Sequence, residues 1–298
     1  MKIRFFLFFH SISRSFHRLF FLLSAGFFFL YGCEIINPAE PVPGYIKVEK
    51  FNTVHDPALG TDSSKITDVY VYVDTKFIGS YPLPAQFPVI ETGSHQMIFY
   101  AGIILNGISN TRADYPFYDS HQETVSLEPG KIMTINPVIK YSANTVASWM
   151  ENFDNAGLSL VKGTGTSVDI VKLSGGDAHN FEGISGAVYL NAQSYFQLVT
   201  DTSYVLPAAN SAVFLEMNYK CNNSFNVGLL AVTASSVDVI PVVTFRSKTS
   251  WNKVYVELGS VIRAYPSAYS FKIELEAYKE EGISNAEFYF DNFKLLHN

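Results

Sequence analysis

From residue 45 onward the chain consists of short runs in which apolar and polar residues alternate, with no sustained helical period. Ile46 and Val48 alternate with Lys47 and Glu49, and Val69, Val71 and Val73 alternate with Tyr70 and Tyr72. Period-two alternation puts one set of side chains on each face of a β-strand. Similar runs cover 76–81, 95–101, 123–127 and 132–139. Turn signals separate them: Asp74-Thr75, Pro82 with Pro84, Thr92-Gly93, Asn106-Gly107 and Pro129-Gly130. A second series covers 168–173, 187–190, 195–200, 212–220, 226–233, 237–245, 253–258, 271–278 and 287–296. The pattern predicts an all-β chain of two tandem β-sandwich domains. The first, over 45–140, is an immunoglobulin-like sandwich. The second, over 141–298, has about nine strands and suits a jelly roll. Residues 141–150 read as the junction, with one helical turn at 145–150 packing Trp149 between the domains. The two halves are expected to be separable there.

The first 33 residues have a different character. Lys2, Arg4, Arg14 and Arg18 precede an apolar run at 19–31, and the run ends in Leu30-Tyr31-Gly32-Cys33. This resembles a bacterial lipoprotein signal with its lipobox. The resemblance implies removal of residues 1–32, diacylglycerol on the Cys33 thiol and residence in the cell envelope, here expected at the outer membrane. The competing reading is a membrane-spanning helix. Spanning needs about 20 apolar residues, and this run is cut by Gly32, Cys33 and Glu34. Residues 33–44 carry Pro38, Pro41, Pro43 and Gly44 and read as an extended tether, roughly 30 Å long.

Four basic residues and no acidic ones lie in residues 1–32, so their removal takes the formal charge from −6 to −10. Nucleic-acid binders need a basic face, so no nucleic-acid partner is expected. An anionic bilayer would repel this surface, which leaves lipid to do the anchoring. The chain has two cysteines. With Cys33 acylated, Cys221 has no partner and a disulfide framework is excluded. Cys221 sits in a strand-like run without a nearby basic cluster and is expected to be buried and unreactive.

Within the first domain, Val71-Tyr72-Val73-Asp74, Ile78-Gly79-Ser80-Tyr81-Pro82-Leu83 and Gly93-Ser94-His95 resemble a PEGA-type repeat, a small β-sandwich of bacterial surfaces. Thr75 replaces the usual Gly and Tyr81 the usual Thr. The resemblance implies that Asp74, Gly79 and Gly93 form turns. In the second domain, the opening Glu151-Asn152-Phe153-Asp154, the strand from Trp251 to Leu258 and the closing run from Glu287 to Leu295 resemble jelly rolls related to carbohydrate-binding modules. In related modules a structural calcium ties the first strand to the last. The resemblance therefore implies Glu151, Asp154 and Asp291 as calcium ligands. The alternative is that Asp291-Asn292 and Asp154-Asn155 shape turns or bulges.

No catalytic constellation stands out. His55, His95, His121, His179 and His297 are scattered without zinc-binding spacing, and no GxSxG elbow is present. Gly163-Thr164-Gly165 lacks the Gly-Lys of a phosphate loop and reads as a turn. Glu274 and Glu276 alternate on one strand face, which is usually a solvated one. The stretch Arg112, Tyr115, Phe117 and Tyr118 offers three aromatics beside an arginine, as binding surfaces do. The other reading folds those rings over their own core. The expected function is a non-enzymatic lipoprotein that binds or scaffolds an outer-membrane protein complex. The alternative is a surface protein that captures a polysaccharide through its jelly roll.

Overall fold

The computed structural model describes residues 40–208 and 211–298. The lipobox and the signal lie outside them. Gly44–Asn298 pack as one compact unit, all-β apart from a 3-10 turn at Pro57–Leu59 and a short helix at Gly259–Ala264 among the described residues. No helix there is long and apolar enough to cross a membrane.

The N-terminal sandwich stacks two sheets. In one, Gly44–Val48 pairs antiparallel with Ala85–Val89 and parallel with Ile132–Ile135. In the other, Asp68–Val73 lies between Lys76–Pro82 and the long strand Gly93–Ile104, whose far edge takes Arg112–Asp114 and His121–Leu127. The alternation seen in sequence holds. Val69, Val71 and Val73 are buried with Ile46, Val48, Phe87 and Phe99, while Tyr72 turns outward to meet Phe77 and Tyr100. Asp74 and Thr75 both take positive φ, 47° and 72°, as the tight turn between two twisted strands requires. The strand Ala85–Val89 was not anticipated, because Pro88 interrupts its pattern. It is an edge strand of its sheet, the position where proline is tolerated.

The C-terminal sandwich is a jelly roll of six and five strands, all antiparallel. The six-stranded sheet runs Val171–Lys172, Gly186–Leu190, Ala286–His297, Val213–Cys221, Lys248–Glu257, with Val146–Glu151 pairing the second half of Ala286–His297. The five-stranded sheet runs Leu160–Lys162, Tyr195–Thr200, Ser270–Tyr278, Phe225–Val232, Val237–Phe245. The expected helical turn at 145–150 is instead the strand Val146–Glu151. The edge of the last strand supplies its hydrogen bonds, and that tertiary partner overrides the local signal. Trp149 accordingly packs on Phe293 in the jelly-roll core, not between domains, and its Nε1 donates to Ser159 Oγ at 2.8 Å.

Both ends of the six-stranded sheet's outer face are covered. At one end Phe214, Tyr255 and Leu296 join the N-terminal core. At the other, residues of the 174–185 loop lie on it: the His179 ring stacks on Tyr289 at 4.4 Å and Phe181 packs on Trp251 at 5.2 Å.

Candidate functional site

Pleating decides what the five-stranded sheet presents on its outer face. In Ser270–Tyr278, the side chains of Phe271, Ile273, Leu275 and Ala277 enter the core, so Lys272, Glu274, Glu276 and Tyr278 point outward. In Tyr195–Thr200, Phe196 and Leu198 are core, and Tyr195 and Gln197 point outward. Register sets Tyr195 against Tyr278 and Gln197 against Glu276. On the other side it sets Asn226 against Glu276 and Gly228 against Glu274.

These residues are linked. The Tyr195 and Tyr278 rings stand 4.5 Å apart. Glu276 accepts from the Tyr195 hydroxyl and from Asn226 Nδ2, each at 3.1 Å. Asn226 Oδ1 accepts from Thr244 Oγ1 at 2.6 Å. Gln197 Nε2 donates to Glu274 Oε1 at 2.5 Å. A Cβ at position 228 would come within 2.8 Å of Glu274 Oε2 and 3.0 Å of the Ile240 carbonyl. Glycine at 228 is therefore what lets the Glu274 carboxylate lie down on the sheet. Burial pushes the Glu274 carboxyl upward, Gln197 opposes the shift and Glu276 adds to it. Burial and the Glu276 hydrogen bond push the Tyr195 phenol well above its usual range, so it stays a donor. The Gly163 loop abuts the Gln197 side chain, and Thr166 Oγ1 donates to the Tyr195 carbonyl at 3.2 Å.

The resulting patch crosses four strands, about 15 Å at the usual strand spacing. Tyr278 offers a ring that is 67% exposed, beside a row of carboxylate, amide and hydroxyl groups. An aromatic face next to two-way hydrogen-bonding groups suits a ligand that is apolar on one face and rich in hydroxyls at its edges. That Glu274 and Glu276 share the outer face was legible in sequence, but the expected solvation of that face fails at Glu274, which is 1% exposed beneath Gln197. Tyr195, Asn226 and Tyr278 were not singled out, because only the sheet register brings them together.

The residues singled out by motif fall elsewhere. Tyr115, Phe117 and Tyr118 are only 3%, 0% and 7% exposed. Their rings pack on one another and on Phe214 and Tyr255 of the jelly roll. This corrects their expected role as a binding surface: they close the seam between the sandwiches. Arg112 ion-pairs with Asp68.

The implied calcium set is not assembled either. Among the described residues no three His, Cys, Asp or Glu side chains are grouped to hold a metal ion. Glu151 uses its oxygens on the amides of Phe153 and Ser159, at 2.8 and 2.7 Å, and on Ser159 Oγ. Asp154 accepts from the Ile184 amide at 2.9 Å. Asp291 accepts from Ser185 Oγ and from the Asn292 amide, each at 2.7 Å. Its carboxyl is pushed up to about 7 by burial, against those hydrogen bonds. Asp291-Asn292 forms a bulge, with Asn292 at φ 52° and a register slip between Glu216 and Asn218 of the partner strand. Cys221 is buried and free, and burial pushes its thiol up to about 11.

No known protein family matches the chain, and no curated protein matches it. Among solved structures it is similar to carbohydrate-binding modules. One, from a study of promiscuous modules of the β-sandwich superfamily, is 13% identical with a TM-score of 0.40, covering 87% of this chain and 99% of that one. The family 22 xylan-binding domain of Paenibacillus barcinonensis is 13% identical with a TM-score of 0.37, covering 49% and 91%. The family 11 module of Clostridium thermocellum, solved with a mixed-linked tetrasaccharide, is 13% identical with a TM-score of 0.35, covering 49% and 92%.

Proposed function

We propose that this chain is a non-catalytic carbohydrate-binding protein that holds a polysaccharide across the outer face of its five-stranded sheet. Lipid on Cys33 would keep it at the outer membrane, and the PEGA-like N-terminal sandwich would act as the spacer. One observation carries the reading. The five-stranded sheet is the jelly-roll sheet whose outer face combines an exposed ring, Tyr278, with a continuous row of polar partners. The outer face of the other sheet lies under the N-terminal sandwich and the 174–185 loop. A sugar ring would stack on Tyr278 and exchange hydrogen bonds with Glu276, Asn226 and Gln197, the last held in place by the buried Glu274.

Affinity electrophoresis of the full chain in gels of xylan, mixed-linked β-glucan or mannan tests this. At least one polysaccharide should retard the protein. Tyr278→Ala should weaken binding about tenfold, as loss of a central aromatic anchor does, with the melting temperature unchanged. Retardation by none of the three, or full binding by Tyr278→Ala, overturns the site. Release of reducing ends, abolished by Glu274→Gln, would overturn the non-catalytic reading, since two neighbouring carboxylates are what glycoside hydrolysis employs.

A further inference from the structure

Pleating also decides the outer face of the larger N-terminal sheet. Val69, Val71, Phe99, Ala101 and Ile103 enter the core, so Tyr70, Tyr72, Ile98, Tyr100 and Ile104 point outward. Register sets Tyr70 against Tyr100 and Tyr72 against Ile98. Tyr72 also stands against Phe77, where a bulge turns Phe77 out while Ile78 packs inward. Ring to ring, Tyr72 lies 5.1 Å from Phe77 and 5.5 Å from Tyr100, and Tyr70 lies 6.3 Å from Phe77. Among the described residues none of these four rings joins a hydrophobic core. Phe77 is 48% exposed, and the three tyrosines are half-buried against one another.

The Tyr70 ring leans over Gly102, where a Cβ would come within 2.7 Å of a ring carbon. Burial and the charges of Asp68 and Asp114 push its phenol upward against Arg112, so the hydroxyl stays a donor. Polar groups flank the rings on both sides. Gln122 stands against Ile98 and accepts from Gln96 Nε2 at 3.4 Å. Arg112 stands against Ile104 and is held by the buried Asp68. This repeats the pairing of exposed ring and two-way hydrogen-bonding groups found around Tyr278.

The two faces meet. Ile104 lines a cavity of about 480 Å³ between the sandwiches, and Thr244 and Arg246 line it from the jelly-roll side. Thr244 is the residue that donates to Asn226 on the candidate polysaccharide face, at the edge of that sheet. The outward rows of both sheets therefore end at one cavity.

We infer that the four rings of the N-terminal sheet form a second saccharide platform, reached by the same polysaccharide chain after it crosses this cavity. The inference rests on the polysaccharide reading and extends it to a long chain held by both sandwiches. Sugar rings would stack on Tyr72, Tyr100 and Phe77 and exchange hydrogen bonds with the phenols, Gln122 and Arg112. A bilayer or an apolar protein surface fits less well, because it would strip water from these polar groups without replacing their partners. Two linked contacts bind a long ligand more tightly than either alone.

Affinity electrophoresis of the full chain in xylan, mixed-linked β-glucan and mannan gels tests this, beside calorimetric titration with xylotriose, a mixed-linked β-glucan trisaccharide and mannotriose. Tyr72→Ser/Phe77→Ser should weaken polysaccharide binding about tenfold, as loss of aromatic anchors does. It should leave trisaccharide binding unchanged, because the jelly-roll face alone holds so short a ligand. Tyr278→Ala should weaken both. If the double variant misfolds, Phe77→Ser removes only the most exposed ring and should weaken polysaccharide binding about threefold. The inference falls, with the polysaccharide reading intact, if the folded platform variant keeps full retardation while Tyr278→Ala loses it, or if it weakens trisaccharide and polysaccharide alike. Full retardation of Tyr278→Ala, abolished by the platform variant, would make the platform the sole site and overturn the shared path. Retardation by none of the three polysaccharides overturns both readings.

Discussion

Glu216 accepts from the Tyr115 hydroxyl at 2.5 Å and the Tyr141 hydroxyl at 2.9 Å and ion-pairs with Lys253. Burial alone would push its carboxyl up, but Lys253, Lys294 and the Tyr115 hydroxyl outweigh that and hold it below its usual range. Glu216→Gln would leave two buried ammonium groups without their counter-charge. Breaking a buried pair this way costs about 3–5 kcal/mol, so the melting temperature should fall by about 10 °C, at roughly 2–4 °C per kcal/mol for a unit of this size. Lys294 sets a pH dependence at the same place. Burial lowers its ammonium to about 8 from the usual 10.5, with Glu216 opposing. Above pH 8 the unfolded chain therefore binds more protons than the folded one, and stability should rise with pH, approaching 1.4 kcal/mol per unit at most. Cys221 has the opposite sign. Its folded value is raised from 9.0 to about 11, so it withdraws stability above pH 9. Denaturant melts between pH 8 and 9 should show the rise in the unaltered chain and not in Lys294→Met. A flat profile in both would remove Lys294 as the cause.

At the scale of elements, the strand Ser270–Tyr278 serves the core with one face and the candidate site with the other. Gly228 on the next strand is where the two roles meet, because it makes room for Glu274. Gly228→Ala should cost about 1–3 kcal/mol, as overpacking does, and should also weaken polysaccharide binding by displacing Glu274 and with it the Gln197 side chain. Tyr278→Ala should affect binding alone. Equal stability of Gly228→Ala and the unaltered chain, measured by urea unfolding, would mean that the sheet absorbs the added methyl group. The final strand Ala286–His297 works differently. Its bulge at Asp291-Asn292 divides an edge shared by Gly186–Leu190 and Val146–Glu151, and so lets one strand close both ends of the sheet.

Over the whole molecule, the seam decides how the chain unfolds. Tyr115, Phe117, Tyr118 and Tyr141 share one buried cluster with Phe214, Tyr255 and Leu296, and Lys294 Nζ donates to the Thr61 carbonyl and the Tyr141 hydroxyl. Separation at 140/141 would wet this cluster and strand its charges. Gly44–Asn298 should therefore unfold in one calorimetric transition, and residues 141–298 alone should melt well below the intact chain. Two independent transitions would instead restore the separable halves that the 141–150 junction suggests.

Strand positions were legible because alternation is local. The valines at 69, 71 and 73 must share a face whatever they pack against, and most runs, such as 195–200 and 237–245, form strands where the pattern puts them. The class of fold follows from many such runs between turn residues. The tertiary structure decided which faces stay wet. Tyr115 and Phe117 have the composition of a binding surface, yet they are buried by Phe214 and Tyr255, about a hundred or more positions away. Tyr195 and Tyr278 look ordinary in sequence, yet register brings their rings together on the open sheet. Glu216, Lys253 and Lys294 likewise become a buried cluster only when three strands align. Hydrophobic pattern is a property of neighbours in sequence, whereas exposure and charge pairing are properties of neighbours in space.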